Sequence, residues 1–217
     1  MVTATQTNEA ICRAALRKIG VVAVDETPTA DEIETARLAL ERLLKSWQNR
    51  GYLLWSVSSL SITLTTAVSY SMTPARPVQI HNVNFRRSGI DLPMIELNRQ
   101  EYDRLPNKSA TGTPTQFYYD RQKEAGTLYI WPGLATAAGE TLQVTYAREL
   151  ADVVLDSAVD VPSEWWDATV YNLALRLAAD FGVNTPPDVV ALSVSTLNDA
   201  LAGDREGSIY FVGDELC

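Results

Sequence analysis

Histidine is almost absent from this chain: one residue, His81, stands among 217. A zinc or iron site built on clustered imidazoles is therefore excluded, and His81 itself reads as an ordinary strand or surface histidine. Cysteine is nearly as scarce. Cys12 falls in a helical pattern and Cys217 is the last residue, so a disulfide framework is not expected. That usage fits a reducing compartment, in which the Asn107-Lys-Ser109 sequon is a chance match. No apolar run approaches the roughly 18 residues of a membrane span. Residues Met1–Asn8 lack a basic region followed by an apolar stretch, so a secretory signal is not expected. There is no Walker loop, no Gly-x-Gly-x-x-Gly, no Gly-x-Ser-x-Gly and no Cys-x-x-Cys. A surplus of bases is missing too. Acids outnumber bases 27 to 18, which disfavours a protein that grips nucleic acid through its phosphates.

Carboxylates are plentiful, and glycoside hydrolysis needs only two. Most have a simpler assignment. Asp31, Glu32 and Glu34 crowd the first turn of one helical pattern, and Glu164 with Asp167 that of another, where the macrodipole favours negative charge. Glu96, Glu101 and Asp103 could line a cleft, for which the sequence gives no geometry. Cys12 lies in a helical stripe and reads as a structural thiol. The expectation is a protein without catalytic residues, cofactor or metal.

What is present is ordinary for a folded protein: 46% hydrophobic and 21% charged residues, which argues against wholesale disorder. Ile11, Ala15 and Ile19 recur at helical spacing before Gly20. Thr29, with Glu32 three residues on, forms a capping box for a helix striped by Ile33, Ala36, Leu40, Leu43, Leu44 and Trp47 and closed at Arg50-Gly51. From Leu60 the period changes to two. Strand patterns follow near Leu60–Leu64, Val68–Met72, Val78–Phe85, Met94–Leu97, Phe117–Asp120, Thr127–Trp131 and Leu142–Tyr146, with a short helix at Arg99–Leu105. Helical spacing returns after Pro162 through Trp166, Val170, Leu173, Ala174, Leu177 and Phe181. It returns again after Thr185-Pro186, with Val189, Val190, Val194, Leu197 and Leu201 on one face.

A single helical hairpin buries too little apolar surface to stand alone. The expected fold is α+β: two helical hairpins packed as a four-helix bundle, with an antiparallel β-rich module inserted between its second and third helices. The expected bounds are 1–58 with 155–203 for the bundle, 59–154 for the module and 204–217 for a C-terminal tail. Within that tail Ile209, Tyr210, Phe211 and Val212 form one apolar patch on a polar segment. Trp165 is a candidate interface anchor beside Trp166, which takes the core position of the stripe. Arg86 and Arg87 are a two-residue basic patch near a turn.

Three segments together resemble the head-to-tail adaptors (connector, or tail tubular protein A-like) of short-tailed bacteriophages. They are Ala10-Ile-Cys-Arg-Ala-Ala-Leu-Arg-Lys-Ile-Gly20 followed by a helix ending Leu43-Leu-Lys-Ser-Trp-Gln48; Gly112-Thr-Pro-Thr-Gln-Phe-Tyr118 leading to Gly126-Thr-Leu-Tyr-Ile-Trp-Pro132 and Leu142-Gln-Val-Thr-Tyr146; and Val161-Pro-Ser-Glu-Trp-Trp166 with Asn172-Leu-Ala-Leu-Arg-Leu-Ala178 and Phe181-Gly182. The resemblance implies a virion protein of the neck, assembled in the host cytoplasm as a ring of twelve copies between portal and tail nozzle. It implies portal contacts by Ile209, Tyr210, Phe211 and Val212, and passage of double-stranded DNA through the channel without sequence-specific binding or a membrane. Two alternatives stay open. One is another neck or tail-completion protein, such as a tail-terminating ring. The other is a carbohydrate-binding β module, for which Tyr118, Tyr119, Tyr129 and Trp131 supply stacking rings.

Overall fold

Five helices carry the first signals of the sequence into structure: α1 (Asn8–Lys18), α2 (Ala30–Asn49), α3 (Arg99–Asp103), α4 (Trp166–Asp180) and α5 (Pro187–Gly203). The computed structural model describes residues 6–51, 54–72 and 76–203. The chain divides into two compact units, Met1–Tyr52 with Ala151–Cys217, and Leu53–Leu150.

Local chemistry sets the helix ends of the first unit. Thr7 caps α1, its hydroxyl accepting from the Ala10 amide at 3.2 Å. Thr29 and Glu32 close a reciprocal capping box on α2: the Thr29 amide donates to the Glu32 carboxylate at 2.7 Å, and the Glu32 amide to the Thr29 hydroxyl at 3.3 Å. Gly20 follows α1 at φ 73°, a left-handed position that a side chain disfavours. A single 3₁₀ turn, Ser163–Trp165, leads into α4. Ile11, Leu16, Leu40, Leu43, Trp47, Leu173 and Leu177 are buried, and Trp47 meets Trp165 edge to face at 5.4 Å.

These helices do not form the four-helix bundle expected from the sequence; the fold is α+β, with five helices and two four-stranded sheets among the described residues. Helices α1, α2 and α4 pack on one another, whereas α5 packs on α4 and its preceding 3₁₀ turn. The physical reason lies in the side chains α5 turns inward. Val189, Ser193 and Ala200 make its buried stripe. Two of the three are small, so α5 beds on α4 with little apolar bulk. Val190 and Val194, assigned by spacing to the inward face, are 41% and 57% exposed.

The second unit contains β1 (Val57–Thr63), β2 (Ser69–Met72), β3 (Gln79–Arg87), β4 (Ile90–Pro93), β5 (Ile95–Glu96), β6 (Gln116–Asp120), β7 (Gly126–Trp131) and β8 (Thr141–Ala147). One sheet has the order β1-β8-β3-β4 and the other β2-β7-β6-β5. The inward residues alternate along each strand and meet in one core, with Val83, Phe85, Leu142 and Val144 from the first sheet and Met72, Phe117, Leu128 and Ile130 from the second. The module is not wholly antiparallel, because β5 pairs β6 in parallel. Gly126 is required by close approach: a Cβ there would overlap the Tyr119 ring and hydroxyl, and that hydroxyl donates to the Pro77 carbonyl at 2.8 Å.

Candidate interaction surfaces

Cys12 is fully buried in α1, and burial pushes its thiol up to about 12, far from a reactive thiolate. His81 is exposed in β3, at a register shift between Ile80 and Asn82. Among the described residues no group of three His, Cys, Asp or Glu side chains is placed to hold a metal.

Arg86 and Arg87 sit at the end of the β3–β4 hairpin. Its two-residue turn, Ser88-Gly89, has φ of 51° and 78°, the left-handed pair that matches strand twist. Arg86 grips Asp91 with two bonds of 2.6 Å, and this contact holds the Asp91 carboxyl below its ordinary range. Arg87 lies over the Phe85 ring and donates to Glu140 at 3.1 Å. Glu140 is held low first by the Ala138 amide and its own, then by Arg87. The basic patch is therefore internally neutralised.

Two of the rings that would stack on a sugar, Tyr118 and Tyr129, pack on a third tyrosine. Helix α3 lies over β6 and β7 and places Tyr102 at 5.0 Å from Tyr118 and 5.2 Å from Tyr129. Tyr119 points to the opposite face, toward the core. The Trp131 indole donates to the Asn107 carbonyl at 2.8 Å.

In the helical unit the paired tryptophans reverse their expected roles. Trp165 is 1% exposed and packed on Trp47, while Trp166 is the half-buried one. The 3₁₀ turn before α4 shifts the inward position back by one residue. Trp165 therefore belongs to one unit's core, and Arg86 and Arg87 to the other unit's hairpin. Ile209, Tyr210, Phe211 and Val212 lie outside the described residues.

Two features escaped sequence reasoning. One is a long-range clasp around Asn8, which is buried and donates to the Val154 carbonyl at 2.8 Å and the Ser157 hydroxyl at 3.1 Å. It fastens the returning chain to the start of α1, and no local pattern announces a bond between residues so far apart. The other is legible by counting. Residues 151–217 hold 12 acidic and two basic residues, whereas residues 1–150 hold 15 and 16. The whole acid surplus lies in the last third of the chain.

The model of the SU10 adaptor protein family matches residues 8–207, and the chain belongs to that family. No curated protein matches it. Membership assigns a structural role as a phage adaptor, a place in the virion and association with other head or tail proteins.

Proposed function

We propose that the protein is a head-to-tail adaptor that forms a ring, of twelve copies, between the portal and the tail nozzle. The family match over residues 8–207 carries this reading. The half-exposed valines of α5 support it, because a ring offers each subunit two different neighbours to cover faces left open in the single chain. In this reading the residues beyond α5 reach the portal, with Ile209, Tyr210, Phe211 and Val212 as its contacts. A short apolar patch on a polar segment orders on binding more readily than alone. The ring stabilises packaged DNA and gives it a channel for ejection. Acidic side chains facing that bore keep the phosphate backbone from adhering, since like charges repel. The work is mechanical and electrostatic, without catalysis or cofactor, and assembly takes place in the host cytoplasm.

Electron microscopy of the purified protein mixed with the portal encoded beside it tests the reading. A ring seated on the portal is expected, and deletion of residues 204–217 should abolish attachment while leaving the helical content unchanged. Absence of a ring at every salt concentration would sink the proposal.

A further inference from the structure

The helical unit holds three arginines along the seam between α2 and α4. Arg42 and Arg176 line one hollow of ≈ 290 Å³ whose other walls are Ala39, Ala179 and Asp180. Arg50, at the end of α2, stands near enough to Arg176 to depress its basicity, after burial, which is the larger cause. Arg176 donates to the Ser46 hydroxyl at 2.9 Å, but none of the three arginines has an ion-pair partner among the described residues. With two arginines and one aspartate on its walls, the hollow carries a net positive charge.

Helix α5 has the complementary character. It contains Asp188 and Asp199 and no basic residue. Its exposed crest carries Ala191, Ser195 and Ala202, small enough for close approach by another helix. At 100° per residue, Val190 and Val194 fall on one flank of that crest and the two aspartates on the other.

We propose that the arginine seam of one copy receives helix α5 of a second copy, the valine flank lying against the exposed Ala179 and the aspartate flank meeting Arg42 and Arg176. This rests on the ring reading, in which each subunit presents two unlike surfaces to its neighbours. Protein carboxylates fit better than DNA phosphates, because three arginines set in an acidic half-chain make no continuous basic track. The contact is partly ionic and weakens with salt.

Charge reversal tests it directly. One variant carries Arg42→Glu and Arg176→Glu; the other carries Asp188→Lys and Asp199→Lys. Each alone should form rings on the portal at least tenfold less efficiently than the unaltered chain. Mixed in equal amounts, they should recover the unaltered yield, because alternating subunits restore opposite charges at every junction of an even-numbered ring. Far-UV circular dichroism checks that each remains folded. If a reversal unfolds the chain, Arg42→Gln with Arg176→Gln decides the matter, with reduced assembly expected at full helicity. Rings from either variant at the unaltered yield would overturn the contact while leaving the ring reading intact. So would two folded variants that fail to complement, or a seam variant that assembles normally and loses only retention on duplex DNA. Failure of the unaltered chain to form any ring would overturn the ring reading and this contact with it.

Discussion

The helical unit and the β unit solve the same problem in opposite ways. The β unit is one continuous stretch, Leu53–Leu150, with a single two-sided core and nearly balanced charge, nine basic against eight acidic residues. Within it Tyr102 packs on Tyr118 and Tyr129, and Arg86 and Arg87 pair with Asp91 and Glu140. The helical unit is assembled from two distant stretches, sewn together at Asn8, and among the described residues it leaves three arginines without an ion pair and two valines of α5 exposed. Under the proposed ring reading, the surfaces that meet neighbouring copies lie in the helical unit. The β unit lies in sequence between the two stretches of the helical unit, as an insert does.

The largest expected effect separates the two units outright. Residues 53–150 expressed alone should unfold cooperatively on heating, followed by circular dichroism. Residues 1–52 alone should show no cooperative transition, because α1 and α2 need α4 to cover them. Within the full chain, Trp165→Ala should cost about 3–5 kcal/mol in denaturant titration, as expected for removing a fully buried indole from a packed core. The same change at the half-buried Trp166 should cost less, and equal costs would break the assignment of Trp165 as the inner ring. Gly126→Ala should cost about 1–3 kcal/mol by forcing Tyr119 aside, an effect confined to the β unit. Thr29→Ala removes the capping bond of α2 and should cost about 1 kcal/mol. The smallest effect is a pH dependence. Asp91 and Glu140 have folded-state values below their ordinary ones, so they stabilise the β unit at neutral pH, and this is lost as pH falls below about 4.5 through their depressed values. Glu140→Gln should flatten part of that acid limb in thermal melts of the β unit.

Much of this architecture was legible in the residues. The capping box at Thr29 and Glu32 is a local signal and appears where its spacing put it. The period-two runs around Phe117, Leu128 and Leu142 became β6, β7 and β8. Strand β4 escaped notice because all four of its residues are exposed and it ends at Pro93. The expected bundle failed at α5, where the choice between Val190 and Ser193 as the inward residue depends on the surface of α4 and not on spacing alone. The pairing of Arg86 with Asp91 and of Arg87 with Glu140 was likewise invisible, since the second joins residues 53 apart through sheet register. The resemblance to phage adaptors pointed to the right family, because order and content of whole segments survive where single motifs are only packing and turn chemistry.

A reconstruction of the neck of the intact virion tests the central claim most directly. The expected result is density for the helical unit repeated twelve times around the DNA axis immediately below the portal, with each chain's last residues running up to it. Density for the chain at another place in the particle, or in a single copy off the axis, would contradict it.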